Sequence, residues 1–212
     1  MTFSYNYSVH RIADEGVSYM TKGVSGKVRI IGGKWRSRKI TFSAIPGLRP
    51  THDRIRETLF NWLNTDVEGA ICLDLFAGSG ALGFEALSRG AKQVTFVDNS
   101  PLVVSSLKKN AAILGDTSSI EIICANFPDP MLSFKHSPFD IVFVDPPFFQ
   151  DLIPASIECL IKGNHMKKGA LVYREAEANV ETLPVPSGFE QFREKRTGAV
   201  IYGLMKLILQ SK

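Results

Sequence analysis

The sequence predicts an α/β fold: a largely parallel sheet with helices on both faces, ending in an antiparallel hairpin and preceded by a small basic β-hairpin. Three observations predict it. From Ala70 onward short apolar runs alternate with amphipathic stretches, those runs are continuously apolar rather than alternating, and the last two are joined only by Arg196-Thr197-Gly198. Continuous apolar strands are those covered on both faces, as in parallel sheets. A three-residue link is too short for a crossover, so the final pair must be antiparallel.

Taken in order, residues 1 to 24 are polar and aperiodic and are expected to form a disordered tail, with Met20 a candidate start of translation. Residues 25 to 48 alternate in Val28-Arg29-Ile30 and Lys39-Ile40-Thr41-Phe42 around Gly32-Gly33-Lys34, which predicts a basic hairpin bearing Trp35. Residues 49 to 212 form the main domain. It opens with a helix that sets Ile55, Leu59, Phe60, Trp62 and Leu63 on one face and Arg54, Arg56 and Glu57 on the other, with Thr51 as its N-cap. Strands are expected at 70 to 76, 93 to 97, 120 to 124, 139 to 144, 169 to 174, 189 to 195 and 199 to 209, with helices at 81 to 89, 101 to 114 and 151 to 162.

With 212 residues, 44% hydrophobic and 22% charged, the chain matches an ordinary globular domain. Such a length buries roughly 70% of its unfolded surface without staples. No apolar run approaches the ~20 residues of a membrane span, so a cytoplasmic protein is expected. Cys72, Cys124 and Cys159 lie in apolar surroundings and read as reduced core thiols; the four histidines lack ligand spacing, so no metal is expected. The net charge is only +4, yet the segment from Gly16 to His52 carries eight basic residues and no acidic one. A basic front on a nearly neutral body suits a polyanion, because neutralised phosphates release condensed counterions. Lys34, Trp35, Arg36, Arg38, Lys39, Arg49 and Arg54 are the candidate contacts to such a polyanion, with Trp35 able to stack on a base if it is a nucleic acid.

Leu73-Asp74-Leu75-Phe76-Ala77-Gly78-Ser79-Gly80-Ala81-Leu82-Gly83 joins the first main-domain strand to its helix in a GxGxxG spacing. Asp98 ends the next strand 20 residues beyond Gly78, where a carboxylate can accept from both hydroxyls of an adenosine ribose. A dinucleotide and S-adenosylmethionine share that layout. Asp74 favours S-adenosylmethionine, since a strand-end carboxylate repels a pyrophosphate but can hold the amino group of a methionine moiety, directly or through water. Asn126, after the third strand, can serve the adenine amine, and Arg56 a phosphate or the cofactor carboxylate.

The fourth strand runs into Asp145-Pro146-Pro147-Phe148 at the same sheet edge. An exocyclic amine on a nucleobase is a poor nucleophile because its lone pair is delocalised into the ring. Asp145 and the carbonyl of Pro146 can accept its two hydrogens, the tandem prolines stiffen the loop, and Phe148 can stack on the base. Glu175 reads as a local partner outside this site.

These residues resemble the RsmD-like family of bacterial 16S ribosomal RNA guanine-N2 methyltransferases over about Gly26 to Leu209. The resemblance is carried by Arg29-Ile30-Ile31-Gly32-Gly33-Lys34-Trp35-Arg36, by Arg49-Pro50-Thr51 with Asp53-Arg54 and Arg56-Glu57-Thr58-Leu59-Phe60-Asn61-Trp62-Leu63, by the glycine loop and by the Asp145 loop. It implies a Rossmann-like class I methyltransferase with a seven-stranded sheet, S-adenosylmethionine as donor, and a guanine of 16S rRNA as acceptor, presented on the small ribosomal subunit or an assembly intermediate to a monomeric enzyme. The family's usual acid after the third strand is Asn126 here, whose amide oxygen can still accept from adenine. Residues and resemblance together give Asp74, Phe76, Ala77, Gly78, Ser79, Gly80, Asp98, Asn99, Asn126, Phe127, Thr51 and Arg56 as the cofactor set and Asp145, Pro146, Pro147 and Phe148 as the catalytic set. A DNA adenine-N6 or cytosine-N4 methyltransferase is the enzymatic rival, and a non-catalytic ribosome-assembly factor the rival from another class.

Overall fold

The computed structural model describes residues 25–43, 51–147, 152–177, 181–198 and 200–208. The expected tail, Arg49 and Phe148 lie outside the described residues. Strands β1 (Ser25–Arg29) and β2 (Lys39–Ser43) pair antiparallel as the basic hairpin. Then follow α1 (Asp53–Leu63), β3 (Ile71–Leu75), α2 (Ala81–Ser88), β4 (Gln93–Asp98), α3 (Pro101–Leu114), β5 (Ile120–Cys124) and β6 (Phe139–Val144). The chain continues with α4 (Leu152–Lys162), β7 (Met166–Glu177), β8 (Phe189–Thr197) and β9 (Val200–Leu207). Seven strands form one sheet in the order β5-β4-β3-β6-β7-β9-β8, parallel from β5 to β7 and antiparallel where β9 meets β7 and β8.

The apolar strands divide their side chains between two layers. In β6, Ile141 and Phe143 join the core formed with α1, α2, α3 and the hairpin, while Val142 and Val144 join a second core with Ile157 and Leu160 of α4. That two-sided burial is why no polar alternation marks these strands. Helix α3 starts on Ser100, whose Oγ accepts from Val103 N–H at 3.4 Å, with Pro101 in its first turn, and stops at Gly115 with φ +76°. Strand β7 exceeds its expected span by three residues at each end, because Phe139 of β6 lies opposite Met166 and β9 supplies partners out to Glu177, opposite Val200.

The hairpin packs into the main core. Val28, Ile30, Trp35 and Ile40 are buried in it, so Trp35 is a core residue and not the base-stacking platform expected from its basic neighbours. Its backbone N–H donates to Ser88 Oγ at 2.9 Å. Gly33 has φ +72°, and a Cβ there would lie 1.8 Å from the Ser88 carbonyl oxygen, so only glycine allows this contact. Asn110 of α3 bonds both backbone groups of Thr41, accepting at 3.0 Å and donating at 2.8 Å.

Glu85 of α2, fully buried, accepts from Ile31 N–H at 2.7 Å, Gly32 N–H at 2.8 Å and Arg89 Nε at 2.7 Å. Arg56 Nη1 lies 3.6 Å from the same carboxylate. Arg56 itself is fully buried, contrary to the exposed helix face expected for it. Its Nε donates to Thr51 O at 3.2 Å and its Nη2 to Arg29 O at 3.0 Å and Asp53 Oδ1 at 2.6 Å. Glu85→Ala strips the buried guanidinium of Arg56 of its deepest counter-charge, so urea unfolding should report a loss of about 3–5 kcal/mol. An unchanged midpoint and slope would show that the hairpin is not anchored here.

Candidate active site

Parallel strands bring their carboxyl ends to one edge, and the loop after β3, the ends of β4 and β5, the loop after β6 and the second half of β7 all meet there. The loop from Phe76 to Gly80 needs left-handed backbone at three positions, Phe76 with φ +60°, Gly78 with φ +52° and Gly80 with φ +74°. At Phe76 a side chain tolerates what costs glycine nothing, and non-glycine strain of this kind is common at ligand sites. Gly80 N–H closes the turn on Ala77 O at 2.7 Å, and Ala77 N–H reaches Val97 O at 2.9 Å. Ala77 and Ser79 are buried beneath the turn.

Asp98, as expected, sits beside this loop. Its Oδ2 accepts from Gly78 N–H and its Oδ1 from Ser100 N–H, each at 2.9 Å, so the carboxylate holds the loop with lone pairs left for hydroxyls. At the next strand end, Asn99 Nδ2 donates to Asn126 Oδ1 at 3.1 Å, and both amides are exposed. Phe127 is buried in the second core, 6.4 Å from the ring of Phe134, so its ring serves packing there.

Asp74 is 2% exposed and accepts from Gly83 N–H at 2.9 Å. Burial pushes its carboxyl up to about 8, partly offset by the Gly83 bond and reinforced by Asp98. Asp145 is likewise raised well above the carboxylate range, first by burial, then by Glu175 and Asp74, against the lowering hydrogen bond from Thr51. The Thr51 hydroxyl donates to Asp145 Oδ2 at 3.0 Å. It therefore does not cap α1, as its position before the helix suggested; His52 occupies the N-cap without a side-chain cap bond.

Glu175 belongs to this site, against the expectation that it only pairs locally. It accepts from Tyr173 Oη at 2.7 Å and is 6% exposed. Register carried the signal: Val144 lies opposite Arg174, so the next residues, Asp145 and Glu175, are abreast on parallel strands. Pro146 is buried and Pro147 exposed after Asp145. The cofactor role expected for Arg56 gives way to its backbone and carboxylate bonds.

Carboxyls on β3, β6 and β7 thus converge where burial makes anionic charge costly, which fits a cation. The sulfonium and ammonium of S-adenosylmethionine are such charges, and Asp98 with the glycine loop fits its nucleoside.

The basic residues divide. Arg36, Lys39 and Arg54 are exposed. Lys34 pairs with Asp116 at 3.0 Å and lies 4.4 Å from the Trp35 ring centroid, while Arg38 donates to Ile113 O at 2.6 Å and Leu114 O at 3.5 Å at the end of α3. Cys72 is a buried thiol, Cys159 half-buried, and Cys124 exposed at the end of β5, where sequence alone suggested a core position. Among the described residues no helix is long and apolar enough to cross a membrane, and no group of three or more acidic, histidine or cysteine side chains is placed to hold a metal.

The sheet order with its antiparallel end, and this carboxyl-rich edge, define a class I S-adenosylmethionine-dependent methyltransferase. The family described as Conserved hypothetical protein 95 matches residues 28–206, and the chain belongs to that family, the RsmD-type methyltransferases. The "Ribosomal RNA small subunit methyltransferase D" of Haemophilus influenzae is 45% identical over 186 residues, covering 87% of this chain and 96% of the relative. The Escherichia coli protein of that name is 45% identical over 180 residues, 85% and 90% of the two chains. A solved Escherichia coli structure, yhhF, superposes with a TM-score of 0.76 at 44% identity, covering 87% of this chain and all of its own.

Asp74 generates a pH dependence whose sign follows from its raised value. Between the ordinary carboxylate range and about 8 the folded protein keeps a proton that the unfolded chain releases. Its contribution to stability is fully present below the ordinary range and lost as pH rises through about 8. Asp74→Asn keeps an acceptor for Gly83 but removes the titration. Urea unfolding of the cofactor-free protein should show the variant level with wild type near pH ~4 and more stable, by several kcal/mol at most, at pH ~9; parallel pH profiles would refute the assignment.

Proposed function

We propose that this protein transfers a methyl group from S-adenosylmethionine to the exocyclic N2 amine of a guanine in 16S rRNA, acting in the cytoplasm on the small subunit or an assembly intermediate. The observation that carries the reading is the placement of Asp145: at the end of β6, beside the glycine loop, and linked through Thr51 and Arg56 to the backbone of the basic hairpin. The small-subunit rRNA activity named for relatives 45% identical to this chain supports the choice of acceptor.

Bound S-adenosylmethionine supplies an electrophilic methyl on a sulfonium. The chain's own residues deal with the amine. Asp145 Oδ1 and the Pro146 carbonyl accept its two hydrogens, which draws the nitrogen out of conjugation and aims its lone pair. Phe148 supplies the stacking ring. Transfer of the methyl would form the N–C bond as the C–S bond breaks, with the electron pair leaving on sulfur, and would make the nitrogen acidic. Asp145, whose affinity for protons is raised by burial and Glu175, is placed to take that proton. Asp74 and Asp98 would hold the two ends of the donor, the amino group and the ribose.

Incubation with labelled S-adenosylmethionine and small subunits lacking the modification, then digestion to nucleosides, should yield N2-methylguanosine; N6-methyladenosine or N4-methylcytidine as product would overturn the guanine assignment. Asp145→Ala should lower turnover roughly 100-fold or more, while calorimetry finds cofactor affinity little changed. Arg36→Gln with Lys39→Gln should weaken RNA binding and reduce the log-log salt slope by roughly 0.7 to 0.9 for each phosphate that is no longer neutralised. An unchanged slope would return those cations to mere solubility.

A further inference from the structure

Thr51 stands one residue before His52, the N-cap of α1, and its hydroxyl turns to the loop after β6. The side chain is 8% exposed and its hydroxyl donates to Asp145 Oδ2 at 3.0 Å, 94 residues away in sequence. Its backbone is equally fixed, because Thr51 O accepts from Arg56 Nε at 3.2 Å. The guanidinium of Arg56 is fully buried and bound in turn to Arg29 O, at 3.0 Å, and Asp53 Oδ1, at 2.6 Å. The hydroxyl is thus delivered to Asp145 by a rigid support anchored in the basic hairpin.

We propose that Thr51 is a positioning residue for the methyl transfer: it occupies Oδ2 of Asp145, fixes the carboxylate rotamer and leaves Oδ1 to face the acceptor amine. This rests on the function proposed above. A hydroxyl donor also favours the ionised carboxylate, which is the form that accepts the amine hydrogens. It opposes every other neighbour on this edge: Asp74 from β3 and Glu175 from β7 both disfavour a second negative charge, and Tyr173, from β7, commits its own hydroxyl to Glu175. Arg56, from α1, acts only through the Thr51 backbone. The threonine assigned from sequence to the cofactor accordingly acts on the catalytic carboxylate.

Thr51→Val keeps the shape and removes the donor; Thr51→Ser keeps the donor. In single-turnover assays Thr51→Val should lower the methyl-transfer rate roughly tenfold and move the acid limb of the pH profile up by about one unit, as expected for loss of a hydrogen bond to a charged group. Thr51→Ser should restore both within about threefold, and cofactor dissociation constants should stay within about twofold in both variants. Independently of activity, carbon-13 titration of the Asp145 carboxyl in cofactor-free protein should show the same upward shift in Thr51→Val. An unshifted carboxyl titration, or a variant whose defect is confined to cofactor affinity, overturns the proposal. If wild-type enzyme makes no N2-methylguanosine the functional reading falls, while the carboxyl titration still decides whether Thr51 governs Asp145.

Discussion

The buried guanidinium of Arg56 joins parts of the chain that sequence separates. It bonds the backbone of β1 at Arg29, the start of α1 at Thr51 and Asp53, and approaches the carboxylate of Glu85 at the centre of α2. Removing either charge from such a pair leaves the other buried with fewer partners, Asp53 for Arg56 and Arg89 for Glu85, so hairpin, α1 and α2 are held as one body. The N-cap of helix α2 is Gly80, the last residue of the loop from Phe76. The same ion pair that seats the basic hairpin therefore fixes the helix from which the cofactor loop hangs, and the loop need not be ordered by its ligand alone.

That rigidity is what permits the carboxyl-rich edge. Asp74, Asp145 and Glu175 are brought together by strand register, and nothing local to any of them favours their proximity. Burial alone would protonate such groups or drive them apart. The sheet prevents separation, so near neutral pH the cost is met by protonation, and Asp74 keeps a proton that the unfolded chain releases. Asp74 at about 8 and Asp145 raised well above its ordinary range are the two halves of that arrangement: one suited to an ammonium, the other to a released proton.

Which parts of this were legible in sequence follows from the range of the forces involved. The strands and helices of the sheet agree with their periodicity, α3 at both ends, because Ser100, Pro101 and Gly115 are local signals. The glycine loop, Asp98 and Asp145 were legible because strand ends in a parallel sheet share one edge. Trp35 is misjudged from sequence because its immediate neighbours are basic, and Arg56 because it is itself charged, whereas their burial is decided by Ser88 and Glu85, far along the chain. Thr51 looks like a cap for the same reason. Glu175 is recoverable from register, but only once β6 and β7 are known to be neighbours, and Cys124 is misplaced because β5 is an edge strand with a less covered end.

The basic front has two roles that composition alone merges. Arg38 places its charge on the last carbonyls of α3, where the helix dipole is negative, and Lys34 answers Asp116 just beyond that helix. Lys34 keeps 52% of its side chain exposed while Asp116 keeps 13%, so the cation stands at the surface on a partly covered carboxylate. The fold gains from having the cation prepositioned. The pairs of the hairpin thus set where positive charge stands, and the exposed side chains of Arg36 and Lys39 extend that surface outward from the same rigid turn.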